Sequence, residues 1–211
     1  MKKNNLHVAV PDILLLAHRQ GSILSVVLFG SSLYSYDPKD VDLAVVTAPG
    51  RFDEFVNLLI GDDSLLKYDI SLIKSEEIDY NKRFYFGGHG QYLVESFRKG
   101  RVLVGKNLFE NYHLTTVKDI KSSIFDRMKE YIYILRKGYF DKIAENKFYS
   151  RYNKMLKLSA FLLTDEYVFP EVLSSDIETV RGSLVETGCV FTDDKKRNIE
   201  NLWIKINERY L

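Results

Sequence analysis

Two aspartates separated by one residue stand at the head of an apolar run, and this pair is the strongest chemical signal in the chain. Asp40 and Asp42 enclose Val41 and lead into the run 43–46. Side chains alternate between the faces of a strand, so both carboxylates point the same way, with Cα atoms roughly 7 Å apart. Carboxylate oxygens suit Mg²⁺ or Mn²⁺ rather than zinc. The pair therefore predicts a metal site.

A third carboxylate joins the pair if the strands that carry them are neighbours. Asp69 lies in a predicted strand over 65–73, on the face that also carries Ser71. Two like charges about 4 Å apart repel by about 4 kcal/mol at an effective dielectric constant near 20. Three uncompensated carboxylates should therefore either protonate or bind a cation.

A Gly-Ser pair ends the apolar run that precedes the aspartates. Gly30 allows the backbone to approach a phosphate closely, and Ser31 and Ser32 can open a short helix whose N–H groups bind an anion. Lys39 either contacts phosphate or offsets the acidic cluster. The chain has no G-x-x-x-x-G-K-[ST] loop. The combination of Gly-Ser and Asp-x-Asp predicts a site for a nucleoside triphosphate and its metal ions.

The elements that must position these residues follow from the hydrophobic pattern. Buried strands are predicted over 23–29, 41–47, 65–73 and 102–104, with helices before and between them. Beyond residue 110 the apolar spacing changes to three and four residues, which predicts about four amphipathic helices. Ser175 and Glu178 form a predicted capping box for one of them, and Asp193-Asp194 suits the N-terminus of the last. The pattern indicates an α+β chain, with one domain over 1–110 and an antiparallel helical bundle over 111–211.

Composition restricts where the protein works and with what. The formal net charge is only +1, so a nucleic acid partner is not expected. Cys189 is the only cysteine, which fits a reducing compartment. The apolar run at 13–17 is too short for a signal peptide or a membrane span. We expect a cytoplasmic protein without membrane association.

A basic stretch in the helical half has two interpretations. One predicted helix carries four basic residues, with tyrosines between them. The basic residues are Lys147, Arg151, Lys154 and Lys157. The stretch could contact phosphate or RNA, or form a solvated helical face. A solvated face is the commoner origin of such a pattern and is favoured.

The segments Phe29-Gly30-Ser31 and Asp40-Val41-Asp42-Leu43 resemble the signature of the DNA polymerase beta-like nucleotidyltransferase superfamily. The segment 96–106 also resembles the end of its small, minimal domains. The resemblance implies an N-terminal nucleotidyltransferase fold, a small mixed sheet flanked by helices. It also implies roles for the site residues. The catalytic and metal-binding residues would be Asp40, Asp42 and Asp69, and the nucleotide would be bound by Gly30, Ser31, Ser32 and Lys39.

The resemblance implies transfer of a nucleoside monophosphate from a triphosphate, with ATP the expected donor, to a hydroxyl acceptor such as an antibiotic. One alternative is a protein acceptor, as in antitoxin-like minimal nucleotidyltransferases that work beside a helical ribonuclease partner. All four histidines precede the predicted bundle helices, so the helical half lacks the Arg and His pair of such ribonucleases. A non-catalytic nucleotide-binding or protein-interaction module is the other alternative, and the three filled acidic positions argue against it. The sequence leaves a helical partner and a homodimer open.

Overall fold

The computed structural model describes seven stretches of the chain, which are residues 8–33, 41–60, 62–78, 90–112, 116–139, 145–169 and 171–211. Contacts divide the chain into two compact units. The first contains residues 1–86 and 93–116, and the second contains residues 87–92 and 117–211. The first is built on a β-sheet and the second is helical, which confirms the predicted α+β class.

Four strands form one mixed sheet in the order β3-β2-β1-β4. They are β1 (Ile23–Phe29), β2 (Val41–Thr47), β3 (Tyr68–Lys74) and β4 (Arg101–Gly105). Strand β1 is antiparallel to β2 and β4, whereas β2 and β3 are parallel. The bounds predicted for the first two strands are confirmed. The parallel pair brings the starts of β2 and β3 to the same edge of the sheet.

The third strand begins three residues later than the apolar pattern predicted. Residues Asp63–Leu65 form a 3₁₀ turn capped by Asp62, whose side chain accepts a hydrogen bond from the Ser64 N–H at 2.9 Å. Leu66 follows with 83% of its surface exposed. The leucines at this position therefore belong to a turn rather than to a strand, and Asp69 lies near the start of β3 instead of its middle.

Both faces of the sheet are covered. The helices along the sheet are α1 (Asp12–Arg19), α2 (Phe52–Leu59) and α3 (Gly90–Arg98). On one face, alternate residues of the central strands pack with residues of α1 and α2, namely Leu14, Ala17, Val26, Leu28, Leu43, Val45 and Phe55. On the other face they pack with α3 and the segment after β4, and this core contains Val27, Phe29, Ala44, Val46, Ile73, Val94, Phe97 and Phe109. The alternation follows from the two-residue period of strand side chains.

The second unit contains α4 (Val117–Lys137), α5 (Glu145–Leu163), α6 (Glu171–Ser174), α7 (Ile177–Glu186) and α8 (Lys195–Tyr210). Helix α4 is antiparallel to α8, since Arg136 late in α4 pairs with Glu200 early in α8. Phe125, early in α4, stacks on Tyr210 at the end of α8. Helices α5 and α8 run parallel, since Asn198 meets Tyr152 in their first halves and Tyr210 donates to the Leu162 carbonyl at their ends. No helix among the described residues is long and apolar enough to cross a membrane.

The N-termini of the last two long helices are capped by aspartates. The predicted capping box of Ser175 and Glu178 is wrong, because Asp176 is the capping residue of α7 and accepts hydrogen bonds from the N–H groups of Glu178 and Thr179. Asp194 caps α8 in the same way. In α7 the aspartate stands one residue closer to the first turn than the serine, and both residue types are good caps.

Candidate active site

Two aspartates of the predicted site are direct neighbours across the parallel strands. Asp42 of β2 and Asp69 of β3 are Cα partners. Partners on adjacent strands place their side chains on the same face, about 4.8 Å apart in the hydrogen-bonding direction. Asp42 is half-buried and Asp69 is exposed. The neighbouring strands that the sequence analysis required for Asp69 to join Asp42 are therefore present.

A turn that begins with a glycine lies against the Asp42 carboxylate. Phe29, the last residue of β1, is the Cα partner of Asp42. Gly30 follows with φ of +70° and opens a 3₁₀ turn over Gly30–Leu33. A Cβ on Gly30 would lie 2.5 Å from Asp42 Oδ2 and 3.1 Å from its Cγ. Both the backbone conformation and the close approach therefore require glycine here.

The two serines of the turn have different environments. Ser32 is buried, and its hydroxyl donates a hydrogen bond of 2.6 Å to the Phe29 carbonyl. Ser31 is exposed. The Ser32 hydroxyl therefore holds the turn onto the end of β1, and Ser31 is the serine whose side chain lies at the surface. Gly30 lies beside the Asp42 carboxylate, whereas the predicted site residues Lys39 and Asp40 lie outside the described residues.

The carboxylates at this end of the sheet suit a divalent cation such as Mg²⁺. Asp42 and Asp69 supply carboxylate oxygens from one face of the sheet, and hard cations prefer such ligands. The described residues contain no group of three or more His, Cys, Asp or Glu side chains that could hold a metal ion. The predicted three-carboxylate cluster needs Asp40 as well, so it stays a prediction.

An aromatic cluster supports the sheet next to the aspartates. The ring of Phe97 on α3 lies edge-on to that of Phe29 at 4.8 Å, and the ring of Phe109 lies 5.0 Å from that of Phe97. Phe29 pairs with Asp42, so this packing fixes the strand end that carries the Gly30 turn. Aromatic pairs of this kind contribute about 0.5–1.5 kcal/mol beyond the area that they bury.

Asn107 is a supporting residue that the sequence analysis missed. Its side-chain amide donates to the carbonyls of Phe97 and Arg98 at 2.9 and 3.2 Å, and its side-chain oxygen accepts from the Phe109 N–H at 2.9 Å. It therefore joins the end of α3 to the segment after β4. The local signal was an asparagine two residues after Gly105, since asparagine commonly bonds to backbone in turns.

No family model matches this chain, and no curated protein sequence matches it. Among solved structures, the chain is similar to spectinomycin adenyltransferase AAD(9) from Enterococcus faecialis, crystallised with ATP and spectinomycin. The TM-score is 0.54 at 16% sequence identity, over 93% of this chain and 96% of the other. The likeness at this identity concerns the fold. The chain therefore shares the fold of that adenyltransferase, a nucleotidyltransferase fold with a helical C-terminal part.

Proposed function

We propose that this protein is a metal-dependent nucleotidyltransferase that transfers a nucleoside monophosphate, with ATP as the donor, to the hydroxyl group of a small molecule. The observation that carries the proposal is the pairing of Asp42 with Asp69 directly beside the Gly30 turn. The fold shared with an adenyltransferase adds independent support.

The proposed reaction breaks a phosphoanhydride bond of the triphosphate and forms a phosphoester bond to the acceptor. The acceptor hydroxyl oxygen attacks the α-phosphorus of the triphosphate, and the bond between that phosphorus and the β-bridging oxygen breaks. Pyrophosphate leaves with the bonding electrons. Asp69, which is exposed at the start of β3, accepts the hydroxyl proton as the general base.

The Gly30 turn and the acidic pair divide the work of binding. The backbone of Gly30 and the side chain of Ser31 hold the triphosphate, and Lys39 adds a positive charge to it. Asp40 and Asp42 hold the divalent cations, Mg²⁺ or Mn²⁺, with Asp69 completing the set. When bound, such ions neutralise the charge that develops on the phosphate oxygens and align the attacking and leaving groups.

The acceptor class is proposed from the adenyltransferase, whose fold this chain shares over 93% of its length. That enzyme's structure contains spectinomycin as well as ATP. We therefore propose a hydroxyl-bearing antibiotic or a molecule of similar size as the acceptor.

The donor half of the proposal is tested by pyrophosphate release in the Asp40→Asn, Asp42→Asn double variant. The wild-type protein should release pyrophosphate from ATP in the presence of Mg²⁺ and an acceptor, and the double variant should not. Asp53→Asn is the matched control, because Asp53 is exposed in the first turn of α2, away from the paired strands. Equal turnover in the double variant and the control would refute the proposal.

The acceptor half is tested separately with ATP labelled in the α-phosphate. Label in a small-molecule product supports the proposed acceptor class. Label that stays with protein in the presence of a cell extract supports the antitoxin-like alternative. ATP binding without any labelled product, over a broad panel of acceptors, supports a non-catalytic module.

A further inference from the structure

Helix α1 carries an exposed stripe on the side opposite to its buried face. Leu14 and Ala17 are fully buried against the sheet. Asp12, Leu16 and Arg19 follow positions i, i+4 and i+7, which lie on one side of a helix. All three are exposed, and Leu16 keeps 43% of its surface in solvent. The stripe therefore has a leucine at its centre and opposite charges at its two ends.

A shallow hollow of about 420 Å³ runs along this stripe and is lined by Asp12, Ile13, Leu15, Leu16, Arg19 and Asp62. Further apolar surface lies close to Asp62 in the chain. Ile60 and Leu66 stand two residues before it and four after it, with 72% and 83% of their surfaces exposed. Single exposed leucines are ordinary on a protein surface, whereas Ile13, Leu15 and Leu16 line this one hollow together.

The charges at the ends of the stripe are complementary to each other. Neither Asp12 nor Arg19 forms an ion pair with any residue that the structure describes. They lie seven residues apart, or roughly 10.5 Å along the helix axis. If a second α1 packs antiparallel, Arg19 of each copy faces Asp12 of the other. The two Leu16 side chains then meet near the two-fold axis.

We propose that α1 is the contact surface of a homodimer of this chain. The contact is isologous, because one patch serves both copies and the charge pattern matches itself on two-fold rotation. Leu16 gives the apolar centre, and the two Asp12–Arg19 pairs fix the antiparallel direction. An eight-residue helix with its flanking loop buries less than the roughly 1,200 Å² of a stable interface, so the dimer forms and dissociates with concentration.

The test is sedimentation velocity of the full chain from micromolar to submillimolar concentration. The wild-type protein should shift from monomer to dimer over this range. Leu16→Glu should raise the dissociation constant at least about tenfold, since it removes the central apolar contact. Ile204→Glu is the matched control, because Ile204 is an exposed apolar residue of α8 in the second unit, and it should leave dimerisation unchanged.

A charge exchange tests the antiparallel direction of the contact. Asp12→Arg and Arg19→Asp should each weaken the dimer, since each places like charges opposite one another. The double variant Asp12→Arg, Arg19→Asp should restore the wild-type dissociation constant to within about threefold, because the exchanged charges are again opposite in sign across the two-fold axis. A wild-type protein that stays monomeric throughout would overturn the proposal. So would a dimer that keeps its affinity in Leu16→Glu, or a double variant no better than the singles.

Discussion

Replacing Gly30 by alanine tests whether the turn and the Asp42 carboxylate act as one unit. The alanine must adopt φ near +70°, which costs a non-glycine residue about 1–2 kcal/mol. Its Cβ would also stand 2.5 Å from Asp42 Oδ2, whereas ordinary contact begins at 3.4 Å. The carboxylate or the turn must therefore move by about 0.9 Å, the difference between these two distances.

A displacement of this size has unequal effects on folding and on activity. The backbone strain should lower the free energy of unfolding by about 1–2 kcal/mol. Misplacing a group at the site by about 1 Å can lower the rate about a hundredfold. We therefore expect Gly30→Ala to fold, to be moderately less stable in urea unfolding, and to lose about 99% of its nucleotidyl transfer rate.

Gly50→Ala separates the two effects. Gly50 has a φ of +67°, but a Cβ there would meet nothing within 4 Å. It should therefore show the same backbone strain as Gly30→Ala and keep its activity. Equal transfer rates in the two variants would show that the close approach of the turn to Asp42 does not determine the activity.

Three further substitutions test the supports of the site and of the helical unit. Ser32→Ala should lower the free energy of unfolding by about 1 kcal/mol, because the Phe29 carbonyl loses its buried hydrogen bond; urea unfolding measures this. Asn198→Ala should lower the free energy of unfolding by about 2–3 kcal/mol in the same assay, since the Asn198 side-chain amide joins α8 to α5 and to the segment before α8. Hydrogen bonding by Arg136 lowers the pKa of Glu200. The contribution of Glu200 to stability is therefore present at pH values above the usual pKa of glutamate and is lost as the pH falls through the lowered pKa. Arg136→Met removes the cause of this shift, so the free energy of unfolding should fall less steeply with decreasing pH below about pH 4.5.

Each of these has a matched control. Ser31→Ala should leave stability unchanged, because Ser31 is exposed. Asn207→Ala removes one hydrogen bond from a half-exposed asparagine of α8, and a loss equal to that of Asn198→Ala would contradict the special role of Asn198. Lys137→Met removes a neighbouring exposed charge from α4, and an equal change in its acid unfolding curve would contradict the assignment to Arg136.

The sequence was sufficient where local pattern alone decides the structure. The first two strands contain the apolar runs 26–29 and 43–46, and their bounds were predicted correctly. The predicted start of β3 was wrong because Leu65 and Leu66 continue the apolar pattern into a turn that Asp62 caps. Apolar character in a short run does not distinguish an exposed turn from a strand.

The features of the site that the sequence could not predict depend on packing between distant segments. The pairing of Asp42 with Asp69 requires a particular strand order, which the sequence analysis could state only as a condition. The inward direction of the Ser32 hydroxyl depends on the end of β1. Lys157, predicted as part of a basic face, instead donates to the Leu173 carbonyl at 2.8 Å, and burial lowers its pKa. That hydrogen bond involves α6, which the helical pattern did not predict.

In the proposed site, the neighbouring carboxylates of β2 and β3 hold a divalent cation together with a triphosphate. This binding is measured by calorimetric titration of ATP, with and without Mg²⁺, into the wild-type protein and into the Asp42→Asn, Asp69→Asn double variant. We expect Mg²⁺ to strengthen ATP binding to the wild-type protein and the double variant to lose this gain, with affinity reduced at least about tenfold, or about 1.4 kcal/mol. An equal Mg²⁺-dependent affinity in the two proteins would show that these carboxylates do not hold the cation.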